Sequence, residues 1–386
     1  MSPFDSAIIL IFALVQWRIT AAWLRWASRQ HPRRIRAAQI AAIAFNALLV
    51  GGYALSESQL VADLKIPGRG PMLMGAATLL YGFGATAIVV GLEVLRFARR
   101  HLGGETDLGR RRAINAAGAA LIAAPFAVIG YGSLVQRTDL RVREFDLPMP
   151  GLPQDLDGLR VLQISDIHLS IFLSDAELAR VIDAAAELRP HLAVITGDLI
   201  STFGDPLDAC IRQLARVKAD AGVFGCLGNH ERYARAENYA ADAAGRVGID
   251  FLRSRNRQLR FGNSVLNLAG VDYQARSEKK AYLRGAERLI VPGAFNVLLS
   301  HNPDVFPVAA HQGYNLLLAG HTHGGQVTVE ILDQSINPAR FFTPFVYGTY
   351  RIGAATAYVT RGIGTIGIPA RIGAPPEITV MRFRKA

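Results

Sequence analysis

The stretch Tyr314-Asn315-Leu316-Leu317-Leu318-Ala319-Gly320-His321-Thr322-His323-Gly324-Gly325-Gln326 decides how the chain is read. Tyr314 to Leu318 reads as a buried strand. Two imidazoles follow, one residue apart, and the glycines around them free the backbone to turn tightly. A strand end of this kind can aim two nitrogen ligands into one small volume.

Working outward, four more apolar runs end in polar residues. In Leu162-Gln163-Ile164-Ser165-Asp166-Ile167-His168 a carboxylate and an imidazole alternate across one residue, so both point to one face. Ile195-Thr196-Gly197-Asp198 places one carboxylate after a strand and a glycine. Leu227-Gly228-Asn229-His230-Glu231 offers an amide carbonyl that can ligate a metal and a histidine that can reach a substrate oxygen. Leu298-Leu299-Ser300-His301-Asn302-Pro303 adds a histidine after an apolar strand. Singly, each has a plainer reading: a turn-capping Asp, an exposed polar loop, a structural histidine. Together they do not. Five of the nine histidines stand at strand ends between positions 168 and 323, with two Asp and one Asn in matching places. Mixed oxygen and nitrogen donors suit Mn, Fe or Zn, and exclude copper-thiolate and iron–sulfur chemistry.

The elements around these motifs alternate. Strands are expected at Leu159–Ile164, Leu192–Ile195 and Gly222–Leu227. Helices are expected from Ser174 to about Leu188, over Pro206–Val217 and over about Ala234–Val247. Ser174 with Glu177 is a capping box. After Gly248 the period changes, and Phe251–Arg253, Gln258–Phe261, Ser264–Ala269, Phe295–Leu299 and Tyr314–Leu318 all read as strands. The pattern predicts an α/β domain with a mixed sheet or two stacked sheets, its polar residues gathered at strand ends. Cys210 and Cys226 do not make a disulfide framework and read as plain core residues.

The first third differs. Apolar segments at 8–24, 37–55, 72–92 and 113–135 predict about four transmembrane helices, since about 20 residues cross a bilayer core. Gln16 and Arg18 interrupt the first, which makes it the weakest. Residues 1–137 hold 15 Lys/Arg against 6 Asp/Glu, a surplus of nine, while the rest of the chain supplies two of the net +11. A nucleic-acid surface would place its excess in the folded domain, so no nucleic-acid partner is expected. Arg25, Arg29, Arg33, Arg34 and Arg36 crowd the loop after the first span, and Arg96, Arg99, Arg100, Arg110, Arg111 and Arg112 the loop after the third. The loop between the second and third spans carries only Lys65 and Arg69. The arginine-rich loops should be cytoplasmic. In a bacterium that makes a multi-pass protein of the inner (cytoplasmic) membrane, with the folded domain on the periplasmic or extracytoplasmic side. The spans show no paired acids at mid-depth and no internal repeat, so they read as an anchor.

The ordered set Asp166-x-His168, Gly197-Asp198, Gly228-Asn229-His230-Glu231, His301 and Gly320-His321-Thr322-His323 resembles the calcineurin-like metallophosphoesterases over about residues 159–330. Ser300-His301-Asn302-Pro303-Asp304, Gly324-Gly325-Gln326, Arg361-Gly362-Ile363-Gly364 and Pro376-Glu377-Ile378 look like the membrane-associated bacterial branch. The resemblance implies a four-layer α/β/β/α sandwich over 159–386, after a transmembrane anchor over 1–137 and a connector over 138–158. It implies two divalent or trivalent metal ions (Mn, Fe or Zn). The first would be held by Asp166, His168, Asp198 and His323, the second by Asp198, Asn229, His301 and His321, with Asp198 shared. His230 would be the catalytic acid beside them, a non-ligand. The implied activity is hydrolysis of phosphodiester or pyrophosphate-type bonds by attack of a metal-bridging hydroxide. Lipid-linked envelope molecules are the candidate substrates and the bilayer a partner. Two further readings stay open: a phosphomonoesterase, and a metal-stabilised binding or sensory domain without turnover.

Overall fold

A computed structural model describes residues 3–30, 32–58, 60–102, 108–331 and 334–386. The chain divides into two units. One joins Met1–Ser58 to Gly70–Ser133, and the other joins Gln59–Arg69 to Leu134–Ala386.

The first unit is helical. It contains α1 (Pro3–Gln30) and α2 (Ile35–Glu57). After the short α3 (Leu60–Asp63) of the other unit come α4 (Arg69–Leu102) and α5 (Leu108–Leu134). Three stretches are long and apolar enough to cross a membrane: Ile35–Ser56, Arg69–His101 and Arg112–Thr138. The first of the four expected spans is a helix, but it does not join that set among the described residues. Arg18 in α1 pairs with Glu93 of α4. Gly91 and Gly118 let α4 and α5 approach closely, for a Cβ at either would meet Ile122 or Leu95 at under 3 Å.

The second unit begins its sheet structure with β1 (Arg141–Met149). There follow β2 (Arg160–Ile164), α6 (Asp175–Glu187), β3 (Leu192–Thr196), α7 (Leu207–Leu214), β4 (Val223–Cys226), α8 (Asn229–Tyr233), α9 (Glu237–Arg246) and β5 (Ile249–Phe251). Next come β6 (Arg255–Phe261), β7 (Ser264–Gly270), β8 (Phe295–Leu299), α10 (Phe306–Gln312) and β9 (Leu316–Ala319). A hairpin of β10 (Val329–Ile331) and β11 (Gln334–Ile336) precedes β12 (Gly348–Ile352), β13 (Ala355–Val359) and β14 (Glu377–Lys385). One six-stranded sheet runs β1-β14-β2-β3-β4-β5, the other β12-β13-β9-β8-β7-β6.

The burial pattern makes the four layers. Strands β2 and β3 are buried on both faces, which is why they are continuous apolar runs. Val161, Val194, Phe224, Phe295, Val297, Leu316, Tyr358 and Phe383 fill the space between the sheets. Leu162, Ile164, Ala193 and Ile195 face outward onto α6, α7 and α9. Leu298, Leu317 and Ala357 face outward onto Phe306 and Ala309 of α10. The Ser174–Glu177 capping box opens α6 as expected, and both cysteines are buried thiols.

The stretch expected as a connector, 138–158, differs. Its residues 141–149 form β1, which pairs in parallel with β14 along its whole length. β14 in turn lies antiparallel to β2, so the end of the chain is inserted into the first sheet. In parallel strands β2, β3, β4, β8 and β9 the carboxyl ends all open toward the polar motifs.

Candidate metal centre

Five of the seven expected donors leave a strand end in a backbone conformation that ordinary residues avoid. Asp166, His168, Asp198, His321 and His323 all have φ between +49° and +74°. Each such residue costs on the order of 1–3 kcal/mol, and strain of this kind collects at functional sites. Glycines allow the loops to close on one another. A Cβ at Gly228 would stand 2.1 Å from Asp198 Oδ1, and one at Gly320 would stand 2.2 Å from Asp166 Oδ2.

The donors form two groups with no member in common, joined by a third. Asp166, His168 and His323 make one, and Asp198, His301 and His321 the other, with ligand atoms in each within 4.8 Å of one another. Asp198 also joins His168 and His230 in a third such group. His168 Nε2 lies 3.1 Å from His323 Nε2 and 3.4 Å from Asp198 Oδ2. His301 Nε2 lies 3.0 Å from the same Asp198 oxygen. Asn229 is buried beside them at the start of α8. All seven expected ligands and His230 therefore meet at one place.

Second contacts fix which atoms face the centre. The Nδ1–H of His301 donates to Thr196 O at 2.6 Å, leaving Nε2 inward. His321 N–H donates to Asp166 Oδ1 at 2.9 Å, and His230 N–H to Asp198 Oδ1 at 3.0 Å. The Nδ1–H of His230 donates to Ser201 O, leaving its Nε2 as the nitrogen open to a substrate. The T-shaped contact of the His168 and His230 rings, centroids 4.7 Å apart, keeps His230 at the edge of the cluster.

A cation fits these residues. Asp166 Oδ2 and Asn229 Oδ1 are buried and make no hydrogen bond among the described residues, while His301 Nε2 has only the Asp198 carboxylate. Two orphaned oxygens stand where buried polar atoms are normally satisfied. His168 Nε2 and His323 Nε2, 3.1 Å apart, face one point, where a cation would replace the single proton they share.

Charge follows the same logic. Burial pushes the Asp166 carboxyl up to about 6, against the pull of His301. Burial also works against ionised Asp198, but His301 and His230 more than offset it and hold that carboxyl well below its usual range. Burial opposes the His301 cation, yet Asp198 lifts its pKa to about 10. Burial lowers His168 to about 4 and His321 to about 3, and pushes His323 well down. Those three are neutral at neutral pH, with lone pairs available.

Three residues outside the expected list serve the site. Fully buried Glu231 accepts N–H groups from Asp198 at 3.1 Å, Leu199 at 2.6 Å and Gly228 at 2.8 Å, and so clamps two ligand loops together. Its place in the Asn-His-Glu run was the only signal. Fully buried Arg371 donates to the carbonyls of Gly364, Ala374 and Arg361, each at 3.0 Å. That loop reaches the ligands through Gly364 N–H, which donates to Asp166 O at 2.6 Å. Nothing local in the sequence marks Arg371. The Tyr273 ring walls the second group, 5.4 Å from His321.

Fold and centre together define a metal-dependent phosphoester hydrolase. The sequence profile of "Calcineurin-like phosphoesterase" matches residues 159–325. The metallophosphoesterase YkuE of Bacillus subtilis (strain 168) is 30% identical over 267 residues, covering 66% of this chain and 89% of its own. The "Transmembrane protein with metallophosphoesterase domain" of Danio rerio is 30% identical over 69% of this chain, which spans 62% of that relative's length. "Phosphodiesterase YaeI" of Escherichia coli (strain K12) is 28% identical over 58% of this chain and 82% of its own. The chain belongs to the calcineurin-like phosphoesterase family.

Proposed function

We propose that the chain is a membrane-anchored phosphoesterase that cleaves phosphodiester or pyrophosphate-type bonds. The observation that carries this is the run of three donor groups, Asp166–His168–His323, His168–Asp198–His230 and Asp198–His301–His321, linked to one another through His168 and Asp198. Asp166, His168, Asp198 and His323 would hold one metal ion, and Asp198, Asn229, His301 and His321 a second. When bound, the two ions supply Lewis-acid neutralisation of the phosphoryl charge and acidify water. The chain's own part is positional. Asp198 holds both halves at one spacing. His230, tethered through Nδ1 to Ser201 O, presents Nε2 to the leaving oxygen and gives it a proton.

The name of YaeI supports the diester reading, and the spans support a substrate at the membrane, with lipid-linked phosphates as the class to test. We further place the centre on the extracytoplasmic face of a bacterial cytoplasmic membrane. The arginine surplus of the other loops supports this. So does the grouping of 59–69 with 134–386, since the two crossings between them return the chain to the same side.

The test is Mn²⁺-dependent hydrolysis of a chromogenic phosphodiester beside the matching monoester, on the full chain, with Asp198→Asn as control. Turnover of the diester in the wild type alone supports the reading. Faster turnover of the monoester would move the chain to the phosphomonoesterases. Two bound metals without any turnover, lipid phosphates included, would make it a binding domain. His230→Ala is expected to keep its metals and lose about 10²–10⁴-fold in kcat, most for poor leaving groups.

A further inference from the structure

The segment between α2 and α4 is short, and the anchor reading gives it no task. It folds with the catalytic unit. Gly68 is buried, and its N–H donates to Phe203 O at 2.8 Å. The fit is close enough to exclude a side chain. A Cβ at Gly68 would stand 2.2 Å from Thr202 Cγ2 and 2.8 Å from Thr202 Cβ. On the other side of the same turn Gly204 has φ +85°, and a Cβ there would stand 3.1 Å from Pro67 Cα. A second anchor lies five residues earlier, where Asp63 Oδ1 accepts from Arg235 Nε at 2.8 Å.

These two anchors bracket the catalytic histidine. Arg235 follows α8, whose second residue is His230. Thr202 follows Ser201, whose carbonyl accepts from His230 Nδ1 and whose hydroxyl lies 3.2 Å from His168 Nδ1. The turn is closed from within by Asp205, which accepts from Ser201 N–H at 3.0 Å and Thr202 N–H at 2.8 Å. The turn itself is therefore held by one carboxylate inside and by the 63–68 segment outside.

We infer that residues 63–68 are a strap that positions the 201–205 turn and, through the Ser201 carbonyl, aims His230 at the leaving oxygen. Gly68 and Asp63 are positioning residues, since neither touches the donor cluster. The inference rests on His230 as proton donor. Its consequence is that the link between α2 and α4 sets turnover as well as joining two helices. A misplacement of about 1 Å at a reacting group costs about a hundredfold at most sites, so a small shift of this turn is legible in kcat.

The experiment uses the full chain in detergent, metal-loaded, with Gly68→Ala. The added methyl must push the Thr202 turn. We expect kcat to fall about tenfold for an unactivated aryl phosphodiester and about twofold for an activated one, with KM and metal content unchanged. Adding Thr202→Gly, which removes the clashing atoms, restores most of the loss. In a His230→Ala background Gly68→Ala costs nothing further, the signature of two changes acting through one group. Losses that add, or that ignore the leaving group, overturn the inference. A second arm needs no turnover and so separates this claim from the proposed activity. The rate at which diethyl pyrocarbonate modifies His230, read by peptide mass, should change severalfold in Gly68→Ala, together with faster amide exchange over 199–206. An unchanged His230 rate and unchanged exchange overturn the strap even if the wild type proves to have no phosphoesterase activity.

Discussion

The two sheets contribute to the centre in different currencies. The first sheet supplies every oxygen donor, Asp166 after β2, Asp198 after β3 and Asn229 after β4, with the imidazoles of His168 after β2 and His230 after β4. The second sheet supplies imidazoles alone, His301 after β8 and His321 with His323 after β9. The donor groups nonetheless mix the halves, since Asp166 and His168 meet His323, and Asp198 meets His301 and His321. Two of the three donor groups therefore need both sheets, while the third, His168 with Asp198 and His230, stays within the first. The division is also electrostatic. The oxygen half concentrates negative charge in a dry place, so it needs either a cation or a proton nearby. The imidazole half is held neutral by burial except at His301, which the shared Asp198 keeps charged while no metal competes. The difference predicts that metal uptake is an exchange of cations at the seam between the sheets.

Breaking the shared member should do the most damage. Asp198→Asn keeps the shape but removes the charge that faces His168 at 3.4 Å and His301 at 3.0 Å. We expect kcat/KM to fall at least about a thousandfold and bound metal to drop below two per chain. Two metals and normal turnover in this variant would remove the basis for treating Asp198 as the bridge. The next test separates the halves. His301→Ala takes one imidazole from the second group and leaves Asp166, His168 and His323 intact. One metal should be retained and one lost, with kcat down about a hundredfold. Equal loss of both metals would show that the halves are not separable. Glu231→Gln acts from behind the oxygen half alone. It replaces one acceptor oxygen by an NH₂ facing the N–H groups of Asp198 and Gly228 or of Leu199. The expected cost is about 1–3 kcal/mol in stability and about 10–100-fold in metal affinity. Calorimetry and thermal unfolding of the metal-free variant distinguish the two.

How much of this was readable beforehand depends on burial. β2, β3 and β8 are covered on both faces, so their runs were unbroken and their ends were plain. The polar motifs sit at those ends and at the ends of β4 and β9, and the family resemblance, not the residues alone, turned them into a ligand set. β1 was not legible. It alternates charged and apolar residues, is exposed along one side and contains Pro148, so it reads as a connector until its partner is known. That partner, β14, lies more than two hundred residues away, and no local pattern announces that it slots between β1 and β2. β12 and β13 were missed for a similar reason, being placed beside β9 by tertiary pairing. The five residues of α8 were too few to show a helical period. Glu231 was visible as a residue and Arg371 was not, but the work of both lies in backbone groups from distant loops. Sequence motifs report donors well because a donor is one side chain. They report clamps poorly because a clamp is defined by what it touches.

The exchange of cations predicts the smallest effect and the most direct reading of the seam. In the metal-free chain His301 carries a proton up to about pH 10 because Asp198 faces it. A metal ion on Asp198 and His301 Nε2 must displace that proton, as every imidazole ligand must be neutral. The sign is fixed. Loading at pH 7.5 should release close to one proton per chain from His301, since the other three ligand imidazoles are already neutral there. Below about pH 6 the Asp166 carboxyl, raised to about 6 by burial, binds a proton as well, so release should climb toward two. Apparent affinity should therefore rise about tenfold per pH unit between 7 and 9, and level off above 10. Titration calorimetry of the metal in buffers of different ionisation enthalpy counts the protons directly. No release at pH 7.5 would mean that His301 enters the site neutral, and that Asp198 has no cation to give up when the metal arrives.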